Sequence, residues 1–173
     1  LDLLKQQKDL VQGYVMDEIF NKMKSGSAAV ASYYAGDFLS MYEDNDDLAF
    51  YYPKEGTNVY VDAMCVPANS THSELAMEYI NFMCSEEIAV ANAEYHYYAS
   101  PNRLVTENEG YRECMAEIHE DAMKILYDDV DTVKSTPYLN LPPERLTLIN
   151  DLWEDLKVES SIGKGIYIAC AVI

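Results

Sequence analysis

Basic residues are scarce in this chain: 12 lysines and arginines stand against 30 aspartates and glutamates, a formal net charge of −18. A nucleic-acid backbone is repelled by most of such a surface, so nucleic acid is excluded as a partner. A polycation, by contrast, is attracted to it and arrives faster. Cysteine is also sparse. Cys65, Cys84, Cys114 and Cys170 follow no zinc-ligand spacing and lack the density of a disulfide scaffold. They read as mostly buried thiols, with Cys65 and Cys84 the pair if one disulfide forms. The sequence has no nucleophile elbow, no H-E-x-x-H and no P-loop. It has no repeat, no low-complexity tract and no signal sequence, and it starts on Leu rather than Met. No uncharged run reaches the roughly 20 residues that a membrane span needs. What remains, 49% hydrophobic and 24% charged residues in 173, is a globular mixture sufficient for one ordinary core.

Along the chain, residues 1–12 carry apolar positions at near-helical spacing, stopped by Gly13. In 15–24, Val15, Ile19, Phe20 and Met23 make one apolar face, with acids in the first turn and lysines in the last. The small apolar run 27–32 reads as a buried strand that turns at Tyr33, Tyr34 and Gly36 into a short helix through Met41. Residues 43–47 form an acidic loop; it lacks the order of an EF-hand and reads as solvated. Residues 48–52 read as another strand. Thr71 and Glu74 have the spacing of a capping box before a helix that turns Leu75, Ala76, Tyr79, Ile80 and Met83 inward. A second helix starts at Ser85 and is broken by the polar-aromatic run 96–102. Residues 107–126 are helical and acidic in two pieces, and His119, Glu117 and Glu120 there read as surface charges rather than metal ligands. Residues 128–140 read as a loop. Pro142 and Pro143 open a last helix, whose inward stripe is Leu146, Ile149, Leu152, Trp153 and Leu156, with Trp153 in the core.

The chemistry concentrates in residues 53–69, PKEGTNVYVDAMCVPAN. A turn at 53–56 leads into a β-branched and aromatic run, 58–66, that ends at Pro67 and reads as a strand. Side chains alternate faces along a strand, which sets Tyr60 and Asp62 on one side. A carboxylate beside an aromatic face suits a cation: the charge is paired, and the ring adds roughly 0.5–2 kcal/mol where water is excluded. The same two residues also fit a half-exposed edge pair that binds nothing.

This segment resembles the C-terminal half of the extracytoplasmic polyamine-binding proteins of ABC transporters, the spermidine/putrescine type. The likeness extends upstream through GSAAVASYYAGD and downstream through ELAMEYINFMCSEEIAVANAEYHYYASPN and LPPERLTLINDLWEDLK, covering about residues 1–157. The resemblance implies an α/β, type II periplasmic-binding-protein-like fold, present as a C-terminal fragment that lacks most of the first lobe. Its segments would be a second-lobe piece at 1–58, a first-lobe piece with hinge crossings at 59–105, second-lobe helices at 106–157, and a linker with an apolar tail at 158–173. That tail, uncharged from Ile166 to Ile173, reads either as the start of a severed membrane anchor or as an edge strand.

Carried over motif by motif, the family's aromatic box falls on Tyr34, Tyr60 and Tyr98, and its anchoring carboxylate on Asp62. A further polar position falls near 138–140. Tyrosine stands at 34 and 60, where family members usually have tryptophan, so the box keeps its π-faces and gains hydroxyls. The implied function is capture of polyamines and delivery to ABC permease subunits, outside the cytoplasm and at the membrane through the permease or the tail. No catalysis, metal or cofactor is implied. Two other readings stand beside it: a solute-binding lobe for another small ligand, and an extracytoplasmic hydrolase. For the fragment alone, weak or no polyamine binding is expected, together with exposed apolar surface that favours a homodimer.

Overall fold

The computed structural model describes residues 1–128 and 132–158. The described chain is mostly helical, and it forms two units, each with its own contacts. Among the described residues, the smaller unit pairs 1–15 with 139–158. Its helices are α1 (Asp2–Lys8) and α8 (Pro143–Val158). The Lys8 ammonium donates to the Leu156 and Lys157 carbonyls at the C-terminal end of α8, where a cation complements the helix dipole. Of the stripe expected inward on α8, Leu156 is fully buried while Leu146 and Ile149 are half exposed. Trp153 is not in a core: it is 38% exposed, with Tyr14 edge-on at 5.0 Å.

The larger unit, Met16–Tyr138, holds α2 (Glu18–Lys24), α3 (Ala35–Tyr42), β1 (Thr57–Val59), α4 (Ser73–Met83), α5 (Glu86–His96), α6 (Arg103–Thr106), α7 (Glu109–Ile118), a π-helical turn (Lys124–Asp128) and β2 (Ser135–Pro137). Its core gathers Phe38, Leu39 and Met41 of α3 with Ala93 of α5, Val105 of α6, Tyr111 and Met115 of α7, and Ala122, Ile125 and Leu126. Local chemistry sets the helix ends. Asn102 Oδ1 accepts from the Leu104 N–H and Asn108 Oδ1 from the Tyr111 N–H, so α6 and α7 each satisfy an otherwise orphaned donor. The loop read as solvated is docked on α2. Asn45 donates to the carbonyls of Met23 and Lys24 at the end of that helix, and Lys24 pairs with Asp44 at 2.6 Å.

Several expected elements do not form. Residues 27–32 make no strand, and Val30 is 81% exposed; small apolar residues suit a buried strand only when a neighbour supplies the ladder. Residues 48–52 are also irregular, pinned by the Tyr52 hydroxyl donating to the Ile125 carbonyl at 3.0 Å. The strand expected over 58–66 is reduced to β1, because its partner β2 is equally short. The capping box at Thr71 is replaced: His72 is the N-cap residue, and its N–H donates to Ser70. On α4, Leu75 and Tyr79 are exposed rather than inward. Cys65 and Cys84 are exposed free thiols, and Cys114 is half-buried and free. His119 is half-buried rather than on the surface, with its ring 4.6 Å from that of Tyr42. The apolar tail lies outside the described residues.

The strand pair, missed at 135–137, positions the site. β1 and β2 run parallel in the register Thr57 to Ser135, Asn58 to Thr136 and Val59 to Pro137. Parallel strands deliver the residues after their C-terminal ends to one side, which is where open α/β sheets place ligands. Tyr60 and Tyr138 are those residues. Gly56 makes the entry into β1 feasible, with φ +118° and a position where a Cβ would stand 2.6 Å from the Lys134 carbonyl oxygen.

Candidate functional site

A pocket of about 560 Å³ opens in the larger unit, lined by Tyr34, Tyr60, Asp62, His96, Tyr98 and Tyr138. Each comes from the end of an element. Tyr34 is the N-cap residue of α3, in extended conformation. Tyr60 and Asp62 follow β1, His96 ends α5, and Tyr138 follows β2. Tyr98 arrives by a sharper route. Tyr97 takes the left-handed conformation at φ 59°, unusual for a residue with a side chain, and closes α5 by donating its N–H to Ala93. Its hydroxyl is held by Glu43 at 3.0 Å, and burial followed by that carboxylate pushes the phenol up to about 12. The turn swings Tyr98 back towards α3.

All four residues singled out from the sequence, Tyr34, Tyr60, Asp62 and Tyr98, line this one pocket. The Tyr34 ring lies 5.5 Å from that of Tyr60, edge to face, and 6.4 Å from that of Tyr98, tilted by 45°; both separations fall in the range of favourable aromatic pairs. The pocket is electronegative by two routes. Asp62 places a carboxylate on its wall. Behind Tyr98, the phenol donates to Asp37 Oδ2 at 2.7 Å. Burial, then the bond to Asp37 and that residue's charge, hold the Tyr98 phenol well above the ordinary range. Burial likewise raises Tyr60, an effect that Tyr98 partly offsets and that the charges of Asp62 and Asp37 add to. These phenols are therefore neutral across the physiological range, offering ring faces and hydroxyl oxygens.

Sequence reasoning missed Asp37, and left Gly36, His96 and Tyr138 unchosen within the turn at 33–36, the break at 96–102 and the polar stretch at 138–140. Gly36 is the seat of Tyr98: a Cβ there would stand 2.6 Å from the Tyr98 ring. Glycine before an acid in the first turn of a helix was a readable signal of close approach, but its partner 62 positions on was not. His96 lines the pocket with its ring 5.9 Å from Tyr98, and its Nδ1 accepts the Tyr98 N–H at 2.9 Å. That bond leaves Nε2 to carry the proton of the neutral ring. Burial lowers the His96 pKa.

Among the described residues no group of three or more His, Cys, Asp or Glu side chains gathers to hold a metal. Nor is any described helix long and apolar enough to cross a membrane. A carboxylate set among tyrosine faces and hydroxyl acceptors has chemistry that attracts an organic cation.

The profile of a family described as bacterial extracellular solute-binding protein matches residues 1–124. The chain is 24% identical over 155 residues to the spermidine/putrescine-binding periplasmic protein of Escherichia coli (strain K12), covering 89% of this chain and 42% of that protein. It is 22% identical over 111 residues to the putrescine-binding periplasmic protein of the same organism, covering 61% and 30%. It is 30% identical over 95 residues to the norspermidine sensor of Vibrio cholerae, covering 54% and 26%. The chain thus spans less than half the length of these relatives. No solved structure matches it. With a match across more than half its length, the chain belongs to the bacterial extracellular solute-binding proteins.

Proposed function

We propose that the chain is part of the solute-binding component of an ABC importer that captures polyamines outside the cytoplasm and delivers them to the permease subunits, through which it associates with the membrane. The observation that carries this reading is the convergence of Tyr34, Tyr60 and Tyr98 with Asp62 on one pocket. In it, Asp62 pairs an ammonium, and the methylene chain lies against the phenol rings. Binding then combines charge pairing with apolar burial worth about 0.8 kcal/mol per methylene. In this reading no bond is made or broken. Support also comes from the relatives, whose names record spermidine, putrescine or norspermidine recognition.

The fold proposed with this function is the type II periplasmic-binding-protein α/β arrangement, with 1–58 and 106–157 in the second lobe and 59–105 in the first. Closure of two lobes over the ligand would give the permease a shape to read. That division has to accommodate a core in which α5 packs with α3 and α7. One observation favours a second reading. His96 and the hydroxyls of Tyr34, Tyr60 and Tyr138 make the wall more hydrogen-bonding than a purely aromatic box, which suits another small cationic or polar solute.

Competition calorimetry on the protein from its complete gene, with spermidine, putrescine and uncharged analogues of equal length, separates the two. Micromolar or tighter binding of the polyamines alone supports the first reading, and preference for the uncharged set overturns it.

A further inference from the structure

His96 joins the end of α5 to the pocket wall. Its Nδ1 accepts the Tyr98 N–H at 2.9 Å, and its ring lies edge-on to that of Tyr98 at 5.9 Å. A ring nitrogen accepts only while it carries no proton, and in an imidazolium both nitrogens carry one. Protonation would set two N–H groups against each other across that contact, so the contact must open. Tyr98 has little slack with which to follow. Tyr97 before it is in the left-handed conformation, its own ring lies against Gly36, and its hydroxyl is tied to Asp37.

The titratable groups that share the pocket with His96 are Asp62 and the phenols of Tyr34, Tyr60, Tyr98 and Tyr138, with Asp37 of α3 behind Tyr98. On its own helix, the charge of Glu94 is felt by Cys114 and Tyr111 of α7. Tyr97, next along, is bonded to Glu43 at the end of α3. None of the described lining residues is a lysine or arginine, so acid would make His96 the wall's own cation. We propose that neutral His96 positions Tyr98 for the ligand, and that its protonation undoes the site twice: it withdraws the acceptor that fixes Tyr98, and it places a positive charge in the pocket that takes the ammonium. Capture of a cation and uptake of a proton at His96 then oppose each other, so the protein grips its ligand at neutral pH and yields it in acid. The inference rests on the polyamine reading and adds to it a condition set by the medium.

The test is calorimetric titration of putrescine, between pH 7.5 and 5, into the protein produced from its complete gene and into its His96→Ala and His96→Asn forms. Alkylamines such as that of lysine stay protonated throughout this range. Thermal melting of each form checks folding. The affinity of the unsubstituted protein is expected to fall about threefold or more from pH 7.5 to 5, part of the roughly tenfold per pH unit that full competition with a proton gives below the pKa. His96→Ala lacks the acceptor at every pH; it is expected to bind about threefold or more weakly at pH 7.5, the scale of a neutral hydrogen bond, with a flatter pH profile. His96→Asn can offer Oδ1 to the N–H two residues on, as in an Asx-turn, and does not titrate. It is expected to regain most of the affinity that His96→Ala loses at pH 7.5 and to stay flat to pH 5. The unsubstituted protein, titrated at pH 6 in buffers of different ionisation enthalpy, is expected to release protons as putrescine binds, because the coupling is reciprocal. Absence of proton release, a pH profile in His96→Asn as steep as in the unsubstituted protein, or undiminished affinity of His96→Ala at pH 7.5 would overturn the inference while leaving polyamine binding intact. Binding of neither putrescine nor spermidine by the unsubstituted protein at pH 7.5 would overturn the polyamine reading, and this inference with it.

Discussion

Gly36 and Tyr98 are bound by a contest of magnitudes. Alanine in place of a helical glycine gains roughly 0.5–1 kcal/mol of backbone entropy, whereas a Cβ 2.6 Å from the Tyr98 ring forces a displacement that costs about 1–3 kcal/mol. The overlap wins. Gly36→Ala is expected to lower stability in urea unfolding by about 1–2 kcal/mol and to weaken polyamine binding; unchanged binding would mean that the Tyr98 ring is not held where the site needs it. His96 predicts a pH dependence. Its pKa is lowered in the folded protein by burial, so between that value and the ordinary 6.5 the unfolded chain binds more protons than the folded one. Stability is then fully present above 6.5 and is lost as pH falls through the lowered value. His96 is only partly shielded from solvent, so the effect is small. Melting of His96→Gln between pH 7.5 and 5 should show a shallower decline than that of the unsubstituted protein; parallel declines would remove His96 from the account. At this scale the sequence was most legible where residue type alone implies chemistry, as with Tyr60 and Asp62 two positions apart. Asp37 stayed hidden because its meaning comes from Tyr98, 61 residues away.

Among the elements, the helices were readable and the strands were not. The face of α2, the breaks around α5 and the proline start of α8 follow from spacing and end signals that a single helix satisfies within itself. A strand is completed only by a partner. Residues 27–32 and 48–52 have strand-like composition without a described ladder, and 135–137, Ser-Thr-Pro, pairs with β1 despite its loop-like composition. The pairing depends on Gly56. Gly56→Ala would impose a side chain at φ +118° and 2.6 Å from the Lys134 oxygen, at a cost of about 1–3 kcal/mol. It should raise the exchange rate of the Thr57 amide, which donates to that oxygen at 2.9 Å; unaltered protection would contradict the role given to the turn. Amphipathic spacing also misled on α4, where Leu75 is 66% exposed while Leu39 of α3 is fully buried. Leu39→Ala is accordingly expected to cost about 2–5 kcal/mol in urea unfolding, and Leu75→Ser within about 0.5 kcal/mol. Comparable losses at both positions would show that the α4 face is covered in solution.

For the whole molecule, the excess of acids and the pocket point the same way. A net charge of −18 draws cations towards the pocket proposed to hold them, an effect on arrival rate that salt weakens. Family membership rests on a match over residues 1–124, and the polyamine proposal on the tyrosine pocket with its carboxylate. The lobe arrangement is proposed from resemblance alone, since no pattern within 173 residues dictates how two lobes close. The most direct measurement is a calorimetric titration of spermidine into the protein from its complete gene and into its Asp62→Ala form. We predict saturable one-to-one binding that falls at least about tenfold, the scale of a charged hydrogen bond, on loss of the carboxylate. Spermidine binding of equal strength in both forms would contradict the claim that this pocket grips the ligand.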